Sequence, residues 1–123
     1  MAVTKTTTIT DLGGKLIIDF DADATYENNV TGETSGVLYL VDLDNTANSD
    51  TSAYLRIIDR ASADASNDVP TWMFAAAPGS KASYVFPEGQ AYSAGLSVWC
   101  TSNNAKDNNT APANSVIVRL VAS

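Results

Sequence analysis

The sequence predicts an all-β protein, a single antiparallel β-sandwich of jelly-roll or Greek-key type with about seven or eight short strands. Apolar and polar residues alternate in short segments bounded by turn formers, and no segment sustains a helical period. Thr, Ser, Asn, Asp and Val are abundant, whereas Lys, Arg and Glu, which usually fill helix surfaces, are scarce. At 123 residues, the chain is expected to form one domain over residues 1–123.

The N-terminal segment is predicted to be an edge strand or an extended arm, assigned to residues 1–12. Residues 2–10, AVTKTTTIT, are rich in Thr, but two apolar side chains of useful size, Val3 and Ile9, anchor them. The next strand covers residues 15–20. Its inward face is expected to carry Leu16, Ile18 and Phe20, and Asp19 is expected on the opposite face.

The stretch from Gly36 to Arg60 contains two strands joined by a long polar loop. In the first strand, Val37, Tyr39, Val41 and Leu43 are expected to share one face; in the second, Leu55 and Ile57 share one. Further strands are predicted at residues 71–74, 83–86, 96–101 and 116–122, with turns at 75–80 and 86–89. Residues 21–35 and 102–114 are predicted to be long polar loops that cap the ends of the sandwich.

Composition argues against several classes of function. The formal charge is −7, and the seven Lys and Arg residues are scattered, so no nucleic-acid partner is expected. No apolar run has the length of a membrane helix and no secretion signal is recognisable, which predicts neither a membrane partner nor export. Without histidine, imidazole catalysis is excluded, and stability should show no histidine-linked step between about pH 6 and 8.

The remaining chemistry would have to come from carboxylates and aromatic rings. Asp42, Asp44 and Asp50 are weak candidates for calcium ligands, although their loop lacks the glycine and glutamate of an EF-hand. The same carboxylates could serve a small hydrolase, and Trp72 and Trp99 could line a glycan site, although aromatic residues at alternating strand positions are more often core. We expect no enzyme activity, no catalytic residue, no cofactor and no metal.

Several segments resemble small β-rich virion proteins of tailed bacteriophages, most closely capsid decoration (cement) proteins. They are YLRIIDRASADASNDVPTWMF, SYVFPEGQAYSAGLSV and the closing VIVRLVAS, within residues 36–123. The resemblance implies a structural protein that is made in the host cytoplasm and binds the outer surface of the phage head. There it would stabilise contacts between subunits of the major capsid protein, its partner, as a homo-oligomer that could be a trimer.

The N-terminal strand is the predicted contact with capsid or neighbour, because an edge can add a strand to another sheet. The residues assigned to this contact are Val3, Lys5, Thr7 and Ile9. Two alternatives remain at this point. One is a tail, baseplate or head-fibre component that binds glycan, and the more remote one is the carboxylate-based hydrolase.

Overall fold

The computed structural model describes residues 3–9, 14–63, 68–105 and 108–123, and of residues 4–9 it describes the backbone. These residues form eight strands. In chain order they are β1 (Val3–Ile9), β2 (Gly14–Ala22), β3 (Gly36–Asp44), β4 (Ala53–Ile58), β5 (Trp72–Ala76), β6 (Lys81–Tyr92), β7 (Ser97–Thr101) and β8 (Val116–Ala122). A large sheet has the order β1-β2-β8-β3-β6 and a small sheet the order β5-β4-β7. All pairings are antiparallel, which confirms the predicted all-β sandwich.

The strand pairs are nested in the manner of a jelly roll. β2 pairs with β8, β3 pairs with β6, and β4 pairs with β5. Between the first two of these pairs, Glu27 forms an isolated antiparallel bridge with Val98 of β7. The chain is therefore one long antiparallel ribbon whose successive pairs alternate between the two sheets. On the side of β7 that does not pair with β4, the bridge at Glu27 takes the place of a full strand. Glu27 lies within the predicted polar loop.

The core lies between the two sheets, where branched aliphatic side chains from both inner faces meet. Its fully buried members include Val41 and Leu43 of β3, Leu55 of β4, and Val116 and Leu120 of β8. At one edge, the Phe74 ring of β5 packs on Tyr84 and Phe86 of β6, with ring centroids 5.1 and 5.8 Å apart. The face that Leu55 and Ile57 were expected to share in β4 is confirmed, and both side chains are fully buried.

The predicted orientation of β2 is wrong. Ile17 and Asp19 point into the sandwich with exposed fractions of 2% and 3%, whereas Phe20 on the other face is 47% exposed. Leu16 and Ile18 share that outer face and are half-buried. The outer face has three apolar side chains and the inner face has one, Ile17, so local alternation favoured the wrong face. The register with β8 decided which face lies inside, since Asp19 lies opposite the buried Val118.

Two irregularities in the large sheet also differ from the prediction. The expected turn at residues 86–89 is absent, because β6 runs through Pro87 and Gly89. Between Leu38 and Leu40 of β3 the register shifts, so Leu38 joins Val41 in the core, and the expected shared face does not extend to Tyr39. Gly89 has a φ of 79°, and a Cβ there would lie 2.0 Å from the nearest side-chain atom of β3.

The outer face of the small sheet is covered by loops. Trp99 of β7 is fully buried with Ile58 and Ala63. Beside it, Arg56 of β4 is also fully buried, and its Nη2 donates to the carbonyl groups of Asn103 and Ala105, at 2.6 Å each. The long loop after β7 is thereby fastened to the sheet.

Candidate functional site

The open edge of the large sheet is β1. Within the described sheet, β1 pairs with β2 on one side, from Val3 opposite Asp19 to Ile9 opposite Gly14. No strand of the described residues pairs with its other side. Such an edge presents a row of backbone N–H and C=O groups that an extended segment of another chain can bind.

All four residues assigned to the capsid contact lie in this edge strand. They are Val3, Lys5, Thr7 and Ile9. The structure describes the side chain of Val3, which packs partly buried against the core. The other three side chains lie outside the described part of the chain. Val3 therefore anchors the strand, and the backbone between Val3 and Ile9 forms the edge of the sheet.

The opposite edge of the large sheet, β6, is protected against pairing. It begins with the exposed Lys81, it contains Pro87, which has no N–H to donate, and its pairing with β3 is interrupted by a register shift between Val85 and Gln90. Charge, proline and bulges are the usual devices that keep edge strands from pairing with other chains. The sequence of β1, VTKTTTI, has one charged residue and no proline. β1 also has a register shift, between Thr6 and Ile9, so it differs from β6 in having no proline. That difference favours β1 as the edge with the more accessible backbone donors.

The calcium candidates have other partners. Asp42 accepts a 2.7 Å hydrogen bond from the Ser83 hydroxyl and lies 3.6 Å from Nη1 of Arg119. Asp44 accepts hydrogen bonds from the Thr46 backbone and hydroxyl, which lower the pKa of its carboxyl group. Asp50 is exposed in the loop between β3 and β4. Among the described residues, no group of three or more acidic, His or Cys side chains could hold a metal. The calcium hypothesis therefore gains no support.

The chemically most unusual group is Asp19, which the prediction placed on the wrong face. Its Oδ1 accepts a 3.0 Å hydrogen bond from the Asp21 backbone N–H, and its buried Oδ2 has no hydrogen-bond partner within the described structure. Burial raises the pKa of Asp19 to about 6, the nearby Glu27 and Asp21 carboxylates add to the rise, and the Asp21 N–H opposes it. Near pH 6 this carboxyl group gains or loses a proton inside the sandwich. The sequence signal for this buried carboxyl group was the position of Asp19 between Ile18 and Phe20 in a predicted strand.

The aromatic residues give limited support to a glycan site. Trp99 is fully buried, Tyr92 is 3% exposed, and Trp72 packs partly buried against the core. Tyr26 is 40% exposed in the loop after β2. Sugar-binding platforms need exposed ring faces, and the two Trp residues serve packing instead.

The cysteine is a core residue. Cys100 is free and fully buried in β7, and burial raises the pKa of its thiol far above the ordinary value. The neutral thiol is a poor nucleophile, so its environment suits packing.

The described residues contain no helix that is long and apolar enough to span a membrane. Comparison with protein families, curated proteins and solved structures found no match to this chain.

Proposed function

We propose that this protein is a capsid decoration protein of a tailed bacteriophage, which binds the outside of the head and bridges subunits of the major capsid protein. The observation that carries the proposal is the edge of the large sheet at β1, which has one charged residue and no proline. The resemblance of residues 36–123 to phage virion proteins supplies the context. A cement protein needs a stable fold and a binding edge, and small contacts repeated over a shell add up.

The copy number of the chain in purified virions tests the location. Quantitative mass spectrometry of virions should find hundreds of copies, in a simple ratio to the major capsid protein. A handful of copies would instead place the protein in the tail or at a vertex, where the glycan-binding alternative becomes the one to test. Absence from the particle would overturn a virion role.

Binding of the purified protein to undecorated heads tests the edge itself. Deleting residues 2–10 should abolish cosedimentation with heads while the rest of the fold persists, because Val3 is the one described side chain of β1 that packs on the core. Retained binding after this deletion would show that another surface docks.

Proline substitutions separate backbone pairing from side-chain contacts. Lys5→Pro and Thr6→Pro each remove one N–H, and successive residues of a strand point their N–H groups to opposite sides. One variant therefore loses a hydrogen bond to β2 and the other loses a donor on the open edge. The variant that keeps the wild-type melting temperature should lose head binding; if it binds normally, strand addition at β1 is wrong.

A further inference from the structure

The carboxyl group of Asp19 lies beside Val3, at the start of β1. In the sheet register, Asp19 of β2 is opposite Val3 of β1 on one side and opposite Val118 of β8 on the other. Opposite residues of an antiparallel pair project to the same face, so both valines flank the carboxyl group inside the sandwich. Val118 is buried in the core, and Val3 packs partly buried against it. On the side of the sheet edge, the Asp19 carboxyl group is therefore covered by Val3.

The interior offers no partner for a charge on this carboxyl group. Oδ1 of Asp19 accepts a 3.0 Å hydrogen bond from the Asp21 N–H, whereas the buried Oδ2 has no hydrogen-bond partner among the described residues. Burying an ionised carboxylate without a partner costs more free energy than burying the neutral acid. The closed structure around Asp19 therefore favours the protonated form.

The acidic groups that surround Asp19 act in the same direction. After burial, which is the largest cause, the carboxylates of Glu27 and Asp21 raise the pKa of Asp19, and the Asp21 N–H lowers it. Across the core, burial and then the charges of Asp19 and Asp23 raise the pKa of the Cys100 thiol of β7. An ionised Asp19 therefore adds its charge to a group of like charges.

The positive charges near Asp19 do not compensate for its burial. The amino terminus of the chain lowers the pKa of Asp19, and the charged residue of β1 is Lys5, which lies opposite Ile17 in the register. On β8, Arg119 lies 3.6 Å from Asp42. The pKa of Asp19 rises to about 6 in spite of these cations. Ionisation therefore destabilises the closed arrangement of the strands around Asp19.

Two of the elements around Asp19 are held by several backbone hydrogen bonds. The N–H groups of Glu27 and Val98 donate to each other's carbonyl groups at 2.8 and 2.9 Å, and the Cys100 N–H donates to the Asp23 carbonyl at 2.7 Å. β8 lies between β2 and β3 in the large sheet and pairs with both. Neither the segment after β2 nor β8 can move away from Asp19 without breaking these bonds.

β1 is the element that separates from Asp19 most easily. It pairs with one strand of the described sheet, and its register with β2 shifts between Thr6 and Ile9. Val3, which covers Asp19, is the one described side chain of β1 that packs on the core. Strand ends at a sheet edge open locally at low free energy, so water can reach Oδ2 of Asp19 while the rest of the sandwich stays folded.

We propose that loss of the Asp19 proton releases the start of β1 from β2, so that the protonation state of this carboxyl group controls how strongly the edge strand is held on the sheet. The proton passes to solvent, and water replaces Val3 as the neighbour of the ionised carboxylate. β1 is the edge proposed to bind the capsid, so the consequence for capsid binding rests on the proposed function. The release of β1 itself does not.

The size of the effect follows from the proton affinity of Asp19 in the paired and released states of β1. In the released state the carboxyl group is in water, so its pKa returns from about 6 to 3.8. The ratio of released to paired β1 therefore increases about tenfold per pH unit between about pH 4 and 6, and it levels off above about pH 6. From about pH 5 to 7 the expected increase is about tenfold.

Amide hydrogen exchange of the full chain, followed by NMR between about pH 5 and 7, tests the proposal. Protection factors are corrected for the pH dependence of the intrinsic exchange rate, and they should fall about tenfold for amides that donate between β1 and β2. Amides that donate between β3 and β6, at the opposite edge, should change less than about twofold, because their local opening does not expose Asp19. In Asp19→Asn the β1–β2 amides should also change less than about twofold.

Asp21→Asn is the matched control. Asp21 is exposed two residues further along the chain, and the substitution retains its backbone N–H, which donates to Asp19. This variant should keep at least about a threefold fall in β1–β2 protection between about pH 5 and 7, because burial, the largest cause of the raised pKa of Asp19, is unchanged.

Three results of the exchange experiment would overturn the proposal. They are wild-type β1–β2 protection that does not depend on pH, an equal pH dependence in Asp19→Asn, and an equal fall between β3 and β6, which would assign the pH-linked opening to the whole molecule. Carboxyl carbon NMR shifts of the same sample measure the ionisation of Asp19 directly. A midpoint near pH 6 is expected, and one near the ordinary value of 3.8 would remove the driving force and overturn the proposal.

Neither measurement uses phage heads. The pH-linked release of β1 can therefore fail while the proposed function stands, and head binding can fail while β1 is still released with rising pH.

Discussion

Replacing Asp19 by Asn should stabilise the protein at neutral pH and remove part of the pH dependence of its stability. Asp19 is 3% exposed, and its Oδ2 has no hydrogen-bond partner in the described structure. Burial first, and then Glu27 and Asp21, raise the pKa of Asp19 from 3.8 to about 6. Asparagine is neutral at every pH, and its Oδ1 can still accept the hydrogen bond from the Asp21 N–H.

The direction of the pH effect on stability follows from the protons that Asp19 binds in the folded and unfolded states. Between about pH 4 and 6 the folded protein holds a proton on Asp19 that the unfolded chain has released, so the folded state binds more protons. The stability that this group contributes is therefore complete below about pH 4 and is lost as the pH rises to about 6. The rise of the Asp19 pKa from 3.8 to about 6 corresponds to about 3 kcal/mol of folding stability, because a tenfold change in an equilibrium constant is worth about 1.4 kcal/mol.

Urea denaturation at several pH values between about 3.5 and 7.5 measures this contribution as the difference between wild type and variant. Asp19→Asn should match the wild type near pH 4 and exceed it by about 2–3 kcal/mol at pH 7. Asp50→Asn is the control, because Asp50 is exposed, and its curve should stay parallel to that of the wild type. If the Asp19→Asn curve is also parallel, or if the variant is less stable at pH 7, the described environment of Asp19 is wrong. If the stability of the wild type changes with a midpoint near pH 6 and that of Asp19→Asn does not, the titrating group in this histidine-free chain is the Asp19 carboxyl group.

Burial and backbone geometry set the outcomes of three other experiments. Arg56→Met should lower the free energy of unfolding by about 3 kcal/mol, because the fully buried Arg56 side chain loses its hydrogen bonds to the carbonyl groups of the covering loop. Arg60→Met, at a largely exposed side chain, should cost less than about 1 kcal/mol, and equal losses in urea denaturation would contradict the buried role. Gly89→Ala should cost more than about 2 kcal/mol because its Cβ would collide with β3, whereas Gly79→Ala has room for a Cβ and should cost about 1 kcal/mol of backbone strain. Similar melting temperatures for the two alanine variants would argue against the bulge in β6. The Cys100 thiol should react with a disulfide reagent no faster than the protein unfolds, and fast reaction of the folded protein would refute its burial.

The candidate site was partly predictable. Thr-rich alternation with few apolar anchors predicted an edge strand or an extended arm at residues 2–10, and β1 is an edge of the large sheet. Whether that edge contacts a capsid stays a prediction. The row that Val85, Leu40, Val121 and Leu16 form across the large sheet was not predictable, because these residues come from four separate parts of the chain.

The sequence by itself determined the all-β class, most of the strands, and the face that Leu55 and Ile57 share in β4. The tertiary structure alone decided the orientation of β2, since Leu16, Ile18 and Phe20 on one face compete with Ile17 on the other. Local hydrophobicity favoured the first set, yet pairing with β8 and packing against the small sheet placed Ile17 and Asp19 inside. Alternation shows that a strand has two faces, but the free energy that selects the inner one comes from residues distant in the chain. That selection placed the Asp19 carboxyl group in the interior and left Phe20 exposed on the outside.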